Sequence, residues 1–185
     1  MTTEIMDAAT QDMEKALDRL GRAFANVRTG RANPAILDRI RVDYYGQPTP
    51  INQMAALKTP DAHMLVIEPW DKTSLNAIEQ AISASDIGIT PSNDGTSIRL
   101  PFPQLTEERR KEFAKQCHTY AEEARVAVRN VRRDANSKVE KLKKDSELSE
   151  DDARRAADSI QKLTDSYIEK VDALLKKKEA EVMEI

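Results

Sequence analysis

Residues 106–146 read TEERRKEFAKQCHTYAEEARVAVRNVRRDANSKVEKLKKDS, and this stretch decides the fold. Phe113, Cys117, Ala121, Ala124, Val128, Val131, Ala135, Val139 and Leu142 recur in it at steps of three and four. That spacing lines one face of an α-helix, because 3.6 residues make a turn. Neither Gly nor Pro interrupts it. Thr106 suits an N-cap, and Glu107 and Glu108 suit the positive end of the helix dipole. The spacing predicts one helix of 41 residues, roughly 60 Å long at 1.5 Å per residue. A helix with one apolar stripe needs partners to cover it.

Two further segments supply them. Ile5, Ala9, Met13, Ala16, Leu20, Phe24 and Val27 carry the same period over residues 4–28. Gly30 follows where a C′ glycine would end that helix, and Pro34 forbids easy continuation. Ser149-Glu150-Asp151-Asp152 resembles a capping box with Asp in place of Glu or Gln. Ala153, Ala156, Ile160, Leu163, Tyr167, Val171 and Leu174 continue from it. Three such helices predict an elongated antiparallel bundle.

Residues 31–105 differ in kind. All eight prolines lie there. Ile40, Val42 and Tyr44 alternate with charged residues as in a half-buried strand, and Gly46-Gln47-Pro48 marks a turn. His63 to Glu68 reads as a second strand. Asp71 or Thr73 caps a short helix through Leu75, Ile78 and Ile82. Asn93-Asp94-Gly95 is a hairpin signal leading into a strand around Ile98. The expectation is therefore an α+β protein of two domains. One is the three-helix bundle of residues 1–30 and 106–185. The other is a small inserted α+β domain, β/α/β and sandwich-like, of residues 31–105. Only two chain crossings join them, at Thr29, Gly30 and Arg31 and at Pro103, Gln104 and Leu105. So thin a connection predicts a hinge.

The chain of 185 residues is 33% charged, 4% aromatic and has a net charge of −3. One cysteine and two histidines leave no disulfide framework and little scope for a metal site. Five glycines at 21, 30, 46, 88 and 95 cannot be written as a phosphate loop, a dinucleotide fingerprint or a nucleophile elbow. Cys117 falls on the apolar stripe and reads as core. The expectation is a protein that is not an enzyme, with no catalytic residue, cofactor or metal. No apolar run is long enough to span a bilayer, and the N-terminus lacks a signal-peptide pattern, so a cytoplasmic protein is expected.

Charge is unevenly spread. Residues 106–146 hold 12 basic and 8 acidic side chains, whereas residues 147–185 hold 7 and 11. From Ala124 to Arg133 no acid interrupts Arg125, Arg129, Arg132 and Arg133. At about 100° per residue, Arg125, Arg129, Arg132 and Lys143 form a row beside the apolar stripe, with Arg133 at its margin. Arginine suits bidentate phosphate contact and base stacking. The row therefore reads as an interface for RNA or another polyanion, or else as a solvated helix face with local pairing. Arg28 and Arg31 form a second basic pair, suited equally to an anion or to the helix C-terminus.

Four groups of residues, in order, carry a resemblance over essentially the whole chain. They are Arg28-Thr29-Gly30-Arg31-Ala32; Tyr45-Gly46 with Pro48-Thr49-Pro50; Leu105-Thr106-Glu107-Glu108-Arg109-Arg110; and Ala127-Val128-Arg129-Asn130-Val131-Arg132-Arg133-Asp134. Together they resemble the bacterial ribosome recycling factor family, with Thr90 standing where that family more often has Asn. The resemblance implies an L-shaped monomer whose bundle binds large-subunit ribosomal RNA on the post-termination ribosome. It implies that Arg129, Arg132 and Arg133 carry that contact, Arg132 foremost. It also implies that elongation factor G, with its own GTP, drives the subunits apart and frees the mRNA, the insert being the part that moves. A helical protein–protein scaffold and a general RNA-binding protein are the alternatives.

Overall fold

The computed structural model describes residues 1–184. The chain divides into two compact units, Met1–Thr29 with Glu107–Glu184, and Gly30–Thr106.

The first unit is a bundle of α1 (Thr2–Ala25), α3 (Glu107–Lys144) and α4 (Glu150–Met183). The 38 residues of α3 extend about 57 Å. Helices α1 and α4 run parallel, and α3 runs against both, because the buried layers pair low numbers on α1 and α4 with high numbers on α3. Ala9, Ala135, Val139, Ala156 and Ile160 make one end layer. Met13, Ala16, Val128 and Tyr167 make the middle. Leu20, Phe24, Cys117, Ala121, Val171 and Leu175 make the other end. Met13, Val128, Ile160 and Val171 lose all solvent contact, each burial contributing about 1.5–3 kcal/mol. A polar clasp joins α4 to α1: the Tyr167 hydroxyl donates to Glu14 Oε2 at 2.7 Å.

Helix α1 ends earlier than its apolar period suggests. Its C-cap is Asn26; Asn26 N–H donates to Ala23 O at 3.2 Å and Val27 N–H to Phe24 O at 3.1 Å, a tightened final turn that satisfies carbonyls the helix would leave open. Gly30 is therefore not its C′ residue, although its φ of +75° still requires glycine's freedom. Between α3 and α4 the chain turns through a Schellman motif. Glu147 N–H bonds to Leu142 O at 2.9 Å and Ser146 N–H to Lys143 O at 3.1 Å. Ser146 holds the left-handed position at φ 58°, which is usually glycine's. Ser149 then caps α4, its Oγ accepting from Asp152 N–H at 3.1 Å, as its sequence predicts.

The second unit contains β1 (Arg41–Tyr44), β2 (Gln47–Pro50), β3 (Ala55–Asp61), β4 (Met64–Pro69), α2 (Leu75–Ala84), β5 (Ser92–Asn93) and β6 (Ile98–Pro101). Strands β3, β4, β6 and β5 form an antiparallel sheet in that spatial order, and β1 and β2 form a separate hairpin. Leu37, Val42, Ile51, Leu65, Ile67, Ile78, Ile82, Ile98 and Leu100 fill the core between them. The turn expected at Gly46-Gln47-Pro48 lies one residue earlier. Tyr45 and Gly46, at φ 51° and 83°, are the two left-handed residues of a tight hairpin. Gln47–Pro50 is a strand in its own right, tolerating Pro48 and Pro50 because it pairs on one side only. Strand β3 escapes sequence reading. Its exposure alternates poorly and it contains Pro60, which a sheet edge accommodates.

A candidate nucleic-acid interface on α3

The bundle presents α3's basic row beside its seam with α4, and the row is not uniform. Arg125 is braced. Its Nε and Nη2 both donate to Asp172 Oδ1 of α4, at 3.0 and 2.7 Å, and its Nη1 donates to Glu122 Oε2 at 3.1 Å. Only 21% of its side chain is exposed. Asp172 and, after it, Glu122 hold its guanidinium above the usual arginine range. Arg129 shares Glu122, its Nη1 lying 3.2 Å from Oε1. Hydrogen bonds from Arg125 and then Arg129 hold the Glu122 carboxyl below the usual range. The expectation of an unneutralised row thus fails for Arg125 and is halved for Arg129. The acids come from outside the acid-free window: Glu122 lies just ahead of it, and Asp172 arrives through tertiary packing.

Beyond this pair, Arg132 and Arg133 have no carboxylate partner among the described residues. Arg132 Nη1 meets only the neutral amide of Gln161, Oε1 accepting at 3.4 Å, and Gln161 itself donates to Asp165 at 2.8 Å. Arg133 is exposed and, among the described residues, has no ion-pair or hydrogen-bond partner. Lys143 pairs with Glu140 at 3.0 Å, one turn back on the same helix. The cationic centre of the row is therefore Arg132 and Arg133, about 38 Å along α3 from Glu107. Sequence reasoning missed Asp172, Gln161 and the bridging role of Glu122. Glu122, three residues before Arg125 and seven before Arg129, was findable on the helix period.

Of the residues expected to form a hinge, Thr29 belongs to the first unit and Gly30, Arg31, Pro103, Gln104 and Leu105 to the second. A Cβ on Gly30 would rest 3.5 Å from Leu105 Cγ, so the outgoing and incoming strands run side by side there. Arg28 and Arg31 flank Gly30 beyond the end of α1, and both engage in further interactions. Pro103 and Gln104 are exposed.

The chemistry-bearing residues elsewhere are quiet. Cys117 is completely buried, and burial pushes its thiol above the usual range, the opposite of what a nucleophile needs. His118 pairs on the surface with Glu179. Among the described residues no three His, Cys, Asp or Glu side chains gather as metal ligands. No helix among them is long and apolar enough to cross a membrane.

Comparison with known proteins agrees across the whole length. A family model described as ribosome recycling factor matches residues 20–183. The ribosome-recycling factor of Halalkalibacterium halodurans is 55% identical over 185 residues, covering 100% of both chains. That of Geobacillus thermodenitrificans is 54% identical with the same coverage. A solution structure of ribosome recycling factor superposes with a TM-score of 0.81 at 40% identity, covering 100% of this chain and 98% of that one. A structure described as a model of the T. thermophilus factor, with E. coli elongation factor G on the E. coli post-termination complex, gives 0.67 at 46% identity and 99% coverage of each.

Proposed function

The chain belongs to the ribosome recycling factor family, and from that premise we propose how its parts do the work of a translation factor that recycles post-termination ribosomes. The bundle binds large-subunit ribosomal RNA through Arg129, Arg132 and Arg133, and Lys143, Arg28 and Arg31 are further basic contacts. Elongation factor G, with the GTP that factor binds, then acts on the inserted unit, separates the subunits and releases the mRNA. The observation that carries the reading is identity above one half, over the entire length, to a ribosome-recycling factor.

The physical logic supports the assignment of parts. Guanidinium groups without carboxylate partners are free to take phosphate bidentately, and Arg132 and Arg133 are of that kind. Arg125 instead holds α3 to α4 and keeps the row on one face. An anchor so far along α3 from the chain crossings leaves the insert free to act as a lever about Gly30 and Leu105. The motor's hydrolysis needs no nucleotide site in this chain, because the partner brings it. The protein works as a monomer in the cytoplasm, where its substrate is.

The test is sedimentation of post-termination ribosomes with the purified chain, with and without elongation factor G and GTP. Conversion of 70S particles to subunits only when all components are present is the expected result. Persistence of 70S particles in the complete mixture overturns the reading.

A further inference from the structure

The turn between β3 and β4, Asp61 to His63, touches both strands that connect the inserted unit to the rest of the chain. On the outgoing side, Ala32 N–H donates to Ala62 O at 2.7 Å, and His63 Nδ1 lies 2.9 Å from Gly30 O. On the incoming side, Phe102 N–H donates to His63 O at 2.7 Å. A carbonyl only accepts, so the His63 bond requires its hydrogen on Nδ1. The turn is itself held, His63 N–H donating to Asp61 Oδ1 at 2.8 Å. One residue thus grips the first strand with its side chain and the second with its backbone. The grip ends at Gly30, which has a φ of +75° and lies against Leu105.

We propose that His63 is a positioning residue for recycling: it clasps the two connecting strands into the inserted unit, so that bending begins at Gly30 and Leu105 and not within the insert. The proposal rests on the lever reading above. A lever transmits force only if its root is stiff. Without the clasp, residues 30–32 and 102–105 join the flexible segment, and part of the motor's displacement is absorbed there. His63 reaches no RNA and no reacting atom in this role. It acts through the backbone of residue 30.

Three variants of the full chain test it. His63→Ala and His63→Leu remove the side-chain bond. His63→Asn keeps an N–H at the same bond count from Cβ. A net hydrogen bond corresponds to about a 2- to 12-fold change in local opening. Hydrogen exchange of the Ala32 and Phe102 amides in the free protein is expected to quicken by that factor in the Ala and Leu variants. The rate of 70S splitting at saturating factor is expected to fall comparably, with the half-saturating concentration and the exchange of the sheet core unchanged. His63→Asn is expected to restore both. Unchanged exchange and splitting in Ala and Leu, an Asn variant that behaves like Ala, or faster exchange throughout the insert would each overturn the clasp. Failure of the unsubstituted protein to split ribosomes would instead sink the recycling reading, while the exchange measurements still decide the clasp.

Discussion

Arg125 and Asp172 stand 47 residues apart in sequence, yet the guanidinium of one directs two hydrogen bonds, of 3.0 and 2.7 Å, at a single carboxylate oxygen of the other. That pairing divides a basic row into a structural part and a part with charge to spare. Replacing Asp172 with Ala is expected to cost about 0.2–1 kcal/mol of stability, since the pair is partly exposed and screened. It also returns a positive charge to the face. Ribosome binding should therefore tighten or hold as unfolding becomes easier. Denaturant titration and large-subunit binding, measured together, check both signs.

Arg132 should behave in the opposite way. Among the described residues its only partner is Gln161, through a weak bond, so Arg132→Ala is expected to leave the unfolding midpoint within error. Large-subunit binding is expected to weaken by about 1.5–3 kcal/mol, the range for hydrogen bonds to charged groups. The slope of log affinity against log salt is expected to become shallower by about 0.7–0.9 for each phosphate that residue 132 no longer neutralises. A flat salt profile in the unsubstituted protein favours the scaffold alternative.

Gly30 combines φ +75° with a neighbour, Leu105, in ordinary contact distance of any Cβ. Valine there meets backbone strain of about 1–2 kcal/mol more than a steric block. Gly30→Val is expected to slow 70S splitting more than it weakens binding to isolated large subunits. Equal losses in the two assays would remove the hinge role.

Asp94 makes the second unit sensitive to acid. Its carboxylate accepts from Thr96 N–H at 2.9 Å, Ser97 N–H at 2.7 Å and the Ser97 and Thr96 hydroxyls. These bonds, the backbone bond from Thr96 first, hold its carboxyl well below the usual range. A lowered folded value means stability that is fully present above the unfolded carboxylate value, about 3.9, and is lost as pH falls below it. Exchange of the 94–97 turn amides should rise below that pH, and Asp94→Asn should flatten the rise.

Ser146 occupies a left-handed position at φ 58° in the turn between the two longest helices. Glycine removes the Cβ conflict there and gives back part of the gain as unfolded-state entropy. Ser146→Gly is expected to stabilise the protein by about 0.5–1 kcal/mol, read as a rise in Tm with ribosome binding unaltered.

Much of this architecture is legible in the amino-acid sequence because its signals are local. The stripe from Phe113 to Leu142, the Ser149 cap and the Asn93-Asp94-Gly95 turn each depend on neighbours within a few residues. Helix period, cap and turn chemistry therefore predict the bundle's helices, the hairpin and the interrupted organisation of the chain. The position of the arginines on one face of α3 follows from the same arithmetic.

Which of those arginines keeps its charge unpaired is a different matter. The carboxylate that disarms Arg125 sits on α4, and only the packing of α4 along α3 brings it within reach. The same holds for Gln161 beside Arg132, for β3, whose pairing with β4 outweighs its poor pattern, and for the His63 bond to Gly30, which closes a loop of 33 residues. Local free energies of helices and turns are written in short stretches of chain. Electrostatic neutralisation and long-range hydrogen bonds are decided by distances of a few ångströms between segments remote in sequence, and those distances exist only once the chain has folded.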